Sequence, residues 1–292
     1  MRLVVVIASF GRPDILAEML RNLERQTRKP DLVILSLTQE SDGPQEMTFS
    51  FDHQTIIGPR GLPAQRNSGL REALHVADSI TFFDDDFVPA DNYLARIEAT
   101  FTANPDYAVI HGNVVADGIT SKGLTFVEAR AALAAAKAIC EDDNPRIRND
   151  ASAYGCNMSF RARNLTPDTA FDERLGLYGW QEDRDFSCRV GRTGRVVCIS
   201  NIVGVHLGVK GGRVNGVRMG YSQVVNPIYL IRKGTMPIAD AARLMSRNLL
   251  ANAVKSLRPE PWVDRRGRLR GNLIGLAHVM SGRIEPEHVH KL

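Results

Sequence analysis

Across the first two thirds of the chain, short apolar runs alternate with segments whose apolar residues recur at helical spacing. Strands separated by helices of this length indicate βαβ units, so we expect an α/β fold with a mostly parallel sheet flanked by helices. The predicted strands cover residues 3–8, 32–37, 55–57, 80–83, 108–115, 157–161 and 196–205. The predicted helices cover residues 13–26, 63–76, 92–103 and 124–140, and then 239–257 and 271–280 in the last third.

The size and composition of the chain are those of a globular protein. It has 292 residues, of which 43% are hydrophobic and 24% charged, and these values exclude a collagen-like or wholly disordered chain. The four cysteines form no C-x-x-C pair, which argues against a zinc knuckle and fits a reducing cytosol. The first apolar run is too short for a signal peptide, and no segment reaches 18 apolar residues. We therefore expect a cytoplasmic protein, peripheral at most to the inner membrane face.

Charge is distributed unevenly along the chain. From Val205 to the end there are 15 Lys and Arg against 5 Asp and Glu, whereas the preceding part is acidic. A basic tail on an acidic body suits an anionic substrate, an anionic bilayer or nucleic acid, and charge alone does not choose among them. For the helix at 239–257, packing with a solvated face is favoured over contact with lipid, and the run DRRGRLR is the better candidate for a basic surface patch.

Polar residues follow the first and fourth predicted strands, where ligands bind in parallel α/β sheets. Ser9 and the residues after it end the first strand, and Asp84, Asp85 and Asp86 follow the fourth. Adjacent carboxylates repel one another and are hard oxygen ligands for Mg²⁺ or Mn²⁺. The alternative is an acidic turn that caps the next helix, and we favour the metal.

Three further segments are weak indications of a functional site when each is taken alone, and they gain weight only in combination. Glu182 and Asp183 open a helical pattern, where a carboxylate either accepts a proton from a hydroxyl or simply caps the helix. His206 ends an apolar run, and a single histidine there is more often structural than a ligand. Arg66 lies near a helix start, where it either holds a phosphate or nucleotide or forms a surface salt bridge.

Taken together, these segments resemble the family 2 inverting glycosyltransferases, which have the GT-A nucleotide-sugar fold, a Rossmann-like α/β sheet. The matching segments occur in the family's order over roughly residues 2–208 and are VVVIASFGRP, GLPAQRNSGL, TFFDDDFVP (the D-x-D element), YGCNMSFRA and GWQEDRDFSCR. The resemblance implies an enzyme that moves a sugar from a nucleotide-diphospho-sugar, a UDP-, GDP- or dTDP-sugar, to an acceptor hydroxyl. The acceptor it implies is a saccharide or lipid-linked saccharide in bacterial polysaccharide assembly.

The resemblance also implies roles around a metal ion, Mn²⁺ or Mg²⁺. Asp84 and Asp85 would face the donor ribose and diphosphate, while Asp86 would bind the metal directly. His206 would be a further ligand of the metal or of the diphosphate.

The resemblance also implies which residues contact the two substrates, the acceptor and the donor. Asp183 would be the general base that deprotonates the acceptor, with Glu182 and Trp180 contacting that acceptor. Ser9 and Arg66 would lie against the nucleotide of the donor.

Two features of the chain bear on the donor beyond this core. Lys210 and Arg213, in a glycine-rich loop, either close over the diphosphate or belong to a mobile solvated segment. Where the family usually carries an Asp pair that meets the nucleobase, this chain has Leu37 and Thr38, with Asp42 nearby. The identity of the base therefore stays open.

We expect a catalytic domain at residues 1–208 and a basic helical extension at 209–292. A sugar nucleotidyltransferase would carry a glycine-rich basic loop where this chain has only SFGRP. A nucleic-acid binder would interleave aromatic residues with the basic ones, and only Trp262 does so, which argues against nucleic acid as a partner. A catalytically inactive sugar-nucleotide-binding protein or a basic membrane-surface protein remains the alternative to an active transferase.

Overall fold

The computed structural model describes residues 1–44, 48–210 and 215–292. The chain divides into two compact units. The first comprises Met1–Arg60, Ala64–Ala170 and Ser187–Gly212, and the second comprises Gly61–Pro63, Phe171–Phe186 and Arg213–Leu292. The second unit thus includes a short internal segment in addition to the C-terminal part of the chain.

All the strands of the described residues belong to one sheet in the first unit. They are β1 (Leu3–Ala8), β2 (Leu32–Leu37), β3 (Asp52–Ile57), β4 (Ser79–Asp84), β5 (Phe87–Pro89), β6 (Tyr107–Asp117), β7 (Ile147–Asn149), β8 (Asn157–Arg161) and β9 (Arg195–His206). The order is β3-β2-β1-β4-β8-β6-β9-β5, with β7 also paired to β9. The pairs from β3 to β4 and the pair β6–β9 are parallel, and β8 runs antiparallel to both of its neighbours. The predicted α/β fold is confirmed.

Strand β1 has the sequence LVVVIA and is buried along its whole length. A strand covered on both faces reads as a continuous apolar run, and this explains why the sequence pattern predicts it so well. Helix α1 (Pro13–Glu24) begins with Pro13 at its first turn and Asp14 near its positive end, as the sequence predicts. Its buried residues, Leu16 and Met19 among them, pack in the same core cluster as β1.

The register of the sheet brings particular strand ends together. Ala8 of β1 pairs with Asp84 of β4, so the segments that follow β1 and β4 leave the same edge side by side. At the other side of the sheet His206, the last residue of β9, pairs with Phe87 of β5 and Asp117 of β6. The short strand β5 therefore folds the three aspartates back toward the end of β9.

The remaining helices of the chain are α2 (Leu62–Leu74), α3 (Tyr93–Ala103), α4 (Phe126–Ala135), α5 (Lys137–Cys140), α6 (Glu182–Val190), α7 (Gly216–Lys233), α8 (Ile238–Lys255) and α9 (Arg265–Met280). The single helix predicted at 124–140 is wrong, because the chain breaks at Ala136 into α4 and α5. Thr125 begins α4 with a reciprocal capping box to Glu128, which fixes its first turn.

In the second unit, helices α7 and α9 pack with their backbones unusually close. A side chain at Gly220 would collide with the carbonyl oxygen of Arg268, and one at Gly271 would collide with that of Val217. Helix α7 was not predicted, because its two glycines and the internal Pro227 are helix breakers in isolation. Tertiary packing overrides this propensity.

Among the described residues, no helix combines the length and the apolar character that crossing a membrane requires.

Candidate active site

Two aspartates and a histidine converge at the ends of β4 and β9. The side chains of Asp84, Asp86 and His206 each offer one ligand atom, and these atoms lie within 4.8 Å of one another. His206 Nε2 is 3.4 Å from Asp86 Oδ1 and 4.0 Å from Asp84 Oδ2. His206 and Asp86 are buried, while Asp84 is partly exposed and lies at the open side of the cluster.

The protein holds one oxygen of each carboxylate and leaves the other facing the histidine. Asp84 Oδ1 accepts a hydrogen bond of 2.8 Å from Arg66. Asp86 Oδ2 accepts one of 2.8 Å from the backbone N–H of Val209. Both rotamers are therefore fixed by hydrogen bonds from behind, which is how ligand side chains in metal sites are usually oriented.

His206 is itself held by two residues on its far side. Its Nδ1 lies 3.0 Å from Asp117 Oδ1 and 3.3 Å from the hydroxyl of Tyr154, which also donates to Asp117. Burial alone would lower the pKa of His206, but hydrogen bonds to Asp117 and Asp86 and the charge of Asp84 raise that pKa to about 10. The imidazole thus lies where positive charge is stabilised by three carboxylates.

This donor set fits a divalent cation. Carboxylate oxygens suit Mg²⁺ and Mn²⁺, and a neutral imidazole nitrogen is a frequent further ligand. In such sites the imidazole usually donates its other N–H to a carboxylate behind it, and Asp117 is that carboxylate here. Asp84, Asp86 and His206 are therefore the residues that would hold the ion.

Asp117 and Tyr154 were missed in the sequence. Asp117 ends strand β6, so the rule that selected the aspartates after β4 applies equally to it. Tyr154 carries no comparable signal, because it lies in a loop and meets His206 only through the fold.

Asp85, the middle residue of the triplet, turns away from this cluster. Its side chain is fully buried, with Oδ2 accepting a 2.6 Å hydrogen bond from Ser9 and Oδ1 lying 2.6 Å from the guanidinium of Arg12. These contacts tie the turn after β4 to the end of β1. The donor contacts expected of Asp85 and Ser9 stay predictions. Arg12, which follows Ser9 at the end of the first strand, had no role predicted for it.

Arg66 lies behind Asp84 and not on the surface. Its guanidinium is buried and also donates a 2.9 Å hydrogen bond to the carbonyl of Gly155. The salt bridge considered as an alternative for Arg66 is thus present, in a buried form. Its predicted contact with the nucleotide stays a prediction.

The segment after β9 is anchored as far as Lys210. The Lys210 ammonium donates to the carbonyls of Gly118 and Ile119 at 3.0 and 2.9 Å. Gly208 has a φ of +64° and packs so closely on Gly118 that a side chain would collide with that backbone. Closure of Lys210 over a diphosphate stays a prediction, and Arg213 lies outside the described residues.

Near the end of β2, Asp42 folds back toward the β1–α1 loop. Its carboxylate accepts hydrogen bonds from the backbone N–H of Gly11 at 3.0 Å and from the hydroxyl of Thr38 at 2.7 Å. In the same loop the ring of Phe10 lies 4.1 Å from the guanidinium carbon of Arg60. An aspartate and an aromatic ring thus border the place where the family's usual Asp pair is missing.

The residues expected to contact the acceptor lie in the second unit, in and before α6. Leu177 and Gln181 have positive φ angles of 61° and 76°, which are uncommon outside glycine and often mark functional loops. Between them the carbonyl of Trp180 accepts a 2.8 Å hydrogen bond from Asn226 of α7. Glu182 is buried, whereas Asp183 is only partly buried. Their predicted roles stay predictions.

Comparison with known proteins gives a family match over part of the chain and a fold over nearly all of it. Residues 4–132 match the model for glycosyl transferase family 2. S. aureus TarS 1-349 in complex with UDP-GlcNAc has a TM-score of 0.56 at 11% identity, over 97% of this chain and 93% of that one. TarS 1-349 in complex with UDP has a TM-score of 0.55 at 13% identity, over 100% and 90% of the two chains. The comparison with curated proteins gives no significant match.

The match over residues 4–132 covers β1 to β6 and includes Ser9, Asp84, Asp86 and Asp117. The fold shared with TarS extends over nearly the whole chain. The chain therefore carries a segment that matches glycosyl transferase family 2, residues 4–132, within a GT-A fold.

Proposed function

We propose that this glycosyltransferase is metal-dependent and moves a sugar, with inversion, from a nucleotide-diphospho-sugar to an acceptor hydroxyl. The proposal depends chiefly on the convergence of Asp84, Asp86 and His206 within 4.8 Å at the carboxyl ends of β4 and β9. A divalent ion bound there would neutralise charge on the departing nucleoside diphosphate. The sugar–diphosphate bond then breaks without a general acid, because the leaving group is already anionic.

On the donor side, the protein's part is to hold charge in place. Arg66 and the Val209 N–H fix the two carboxylates, and Asp117 fixes the imidazole. Such preorganisation avoids reorganising the site while charge moves in the transition state. Lys210, at the edge of this group, is proposed to contact the diphosphate together with Arg213.

On the acceptor side, Asp183 is proposed as the general base. It would remove the proton from the attacking hydroxyl, whose oxygen forms the new glycosidic bond as the bond to the diphosphate breaks on the opposite face. One displacement of this kind inverts the anomeric centre. Glu182 and Trp180 are proposed to bind the acceptor, and the strained backbone around Trp180 supports a functional role for this segment.

For the donor, we infer a UDP-, GDP- or dTDP-sugar. TarS, which shares the fold, is bound to UDP-GlcNAc in one structure and to UDP in another, and this supports a nucleotide-linked donor. Asp42 and Phe10 are the residues on which recognition of the base is proposed to depend, with Ser9 nearby. The acceptor is proposed to be a saccharide or lipid-linked saccharide of bacterial polysaccharide assembly, used on the cytoplasmic side of the membrane.

A thermal-shift panel tests this proposal with UDP, GDP, CDP and dTDP, each with and without Mn²⁺. A ligand present at about 100 times its dissociation constant adds about 2.7 kcal/mol to the free energy of unfolding, which raises Tm by roughly 5–10 °C. We expect this shift for one nucleotide, larger with Mn²⁺, and we expect Asp86→Asn to abolish the Mn²⁺ increment. Asp91→Asn is the control, because it removes a half-exposed carboxylate of the same unit that belongs to neither group of possible metal ligands found among the described residues. No shift for any nucleotide, with or without Mn²⁺, would contradict the proposed donor site.

A further inference from the structure

Helix α8 displays a stripe of basic and apolar side chains that nothing in the described chain covers. Arg243, Arg247, Leu250 and Val254 follow one another at steps of four, three and four residues, so they share one face of the helix. Leu257 comes just after the helix ends at Lys255, and all five residues are exposed. The apolar members are 66%, 60% and 79% exposed, in chain order. Amphipathic helices normally bury their apolar residues against the core of their own domain. The exposed leucine and valine side chains of α8 therefore point to a second binding surface on this helix.

The surroundings of this stripe extend the same character. Seven of the thirteen large hydrophobic residues that are exposed in the described chain fall within residues 238–280. Trp262, in the loop that follows α8, is 40% exposed, and Leu273 and Met280 on α9 are 59% and 85% exposed. So many exposed apolar side chains within one segment are typical of an interaction surface.

The charge of the segment identifies the kind of partner. Residues 238–283 contain nine basic and three acidic residues, and each acidic residue already has a partner within the unit. Asp240 pairs with Arg184, Glu260 pairs with Lys255 and Arg265, and Asp264 caps α9. Among the described residues, Arg243, Arg247, Arg258 and Arg270 take part in no ion pair. The segment therefore presents uncompensated positive charge beside exposed leucine, valine and tryptophan.

We propose that this surface, the α8 stripe with Trp262, is a docking site for an anionic lipid bilayer. Apolar side chains would enter the boundary between headgroups and acyl chains, while the arginines meet lipid phosphates. An indole at the edge of such a surface is typical of membrane interfaces. A second copy of the chain is disfavoured as the occupant, because a symmetric contact would bring together the same arginines, which form no ion pair among the described residues. This surface belongs to the second unit, whereas Asp84, Asp86 and His206 belong to the first.

Vesicle co-sedimentation of the full-length protein tests this site. We expect binding to phosphatidylcholine vesicles that contain about 30% phosphatidylglycerol, and little binding to phosphatidylcholine alone. Raising NaCl from about 0.1 M to about 0.5 M should weaken the binding. On contact with the anionic vesicles the tryptophan emission should shift to shorter wavelength, and Trp262→Phe should remove most of that shift.

Variants separate the two contributions to binding. Arg243→Gln with Arg247→Gln should lower the partition coefficient roughly 25-fold, about five-fold for each charge. Leu250→Ser, Val254→Ser and Leu257→Ser together should lower it at least about ten-fold. The matched controls are Val127→Ser and Lys137→Gln, which change a 77% exposed valine on α4 and a 73% exposed lysine on α5 and should leave binding unchanged.

Unchanged binding in both sets of α8 variants would overturn the proposal, and so would equal binding to neutral and anionic vesicles. Light scattering after gel filtration addresses a second copy of the chain as the occupant. A dimer that the triple serine variant converts to a monomer, with no vesicle binding by either protein, would show that the stripe is a protein interface and would also overturn the proposal. Circular dichroism of each variant confirms that the fold is retained.

Discussion

The buried pair formed by Arg66 and Asp84 gives a quantitative test of how the carboxylates of the proposed metal site are held. Arg66 is 2% exposed and donates to Asp84 at 2.8 Å and to the Gly155 carbonyl at 2.9 Å. Removing one partner of a buried ion pair costs about 3–5 kcal/mol, because the other charge is left without compensation. Asp84 is 27% exposed, so water partly solvates it, and we expect Arg66→Met to lower the free energy of unfolding by about 2–3 kcal/mol.

A double-mutant cycle isolates the interaction between the two side chains. The four proteins are the wild type, Arg66→Met, Asp84→Asn and the double variant, each unfolded with urea in the absence of metal and nucleotide. We expect a coupling free energy of about 1–3 kcal/mol, and a Tm of Arg66→Met about 5–10 °C below that of the wild type.

The control cycle uses Arg25 and Asp91 of the same unit, which lie 3.2 Å apart but are 54% and 52% exposed. Exposed pairs contribute at most about 1 kcal/mol, so this coupling should be clearly smaller. If the changes at Arg66 and Asp84 were additive within about 0.3 kcal/mol, Arg66 would not hold the carboxylate, and the account of the donor side would be refuted.

Three further predictions follow from the geometry. Asp183→Asn should lower kcat at least about 100-fold while nucleotide binding in the thermal-shift assay stays the same, and an unchanged kcat would exclude Asp183 as the base. Gly208→Ala should lower the free energy of unfolding in urea by about 2–3 kcal/mol, and Gly11→Ala should lower it by about 1 kcal/mol. Both glycines have a φ of +64°, but only Gly208 lies against neighbouring backbone atoms. Equal losses in the two variants would contradict this account. Burial alone would raise the pKa of Asp172, but hydrogen bonds from Lys233 and Tyr229 lower that pKa below its usual value. The contribution of Asp172 to stability is therefore complete above about pH 5. It is lost as the pH falls through about 3.9, the usual pKa of an aspartate, toward the lowered pKa of the folded protein. Asp172→Asn should therefore flatten the acid side of the stability profile, and an unchanged acid side would show that the carboxylate contributes nothing.

The sequence predicts the frame of the site better than its details. Buried strands such as β1 and β4 read as continuous apolar runs, and the rule for strand ends placed the aspartates and Ser9 at one edge. The rule cannot say which way each of three consecutive residues in a turn will point. Asp85 turns inward to Arg12, since neighbouring side chains in a tight turn diverge.

Long-range partners are the other part that escaped prediction. Tyr154 and Asp117 meet His206 across 52 and 89 residues, and no local pattern encodes such a meeting. Helix α7 escaped for a related reason, because its glycines are unfavourable locally and favourable only against α9.

The discontinuity of the second unit has a consequence for how the proposed acceptor-binding segment can be exchanged. Within that unit Asp185 is fully buried and meets Lys233 and Thr235 at 2.8 and 2.9 Å, while Leu175 packs with Leu230 and Met236. Truncation near residue 208 would strip Phe171–Phe186 of these neighbours. A chimera with a related transferase should therefore exchange Phe171–Phe186 and the C-terminal helices together, because either segment alone would lack the residues that it packs against.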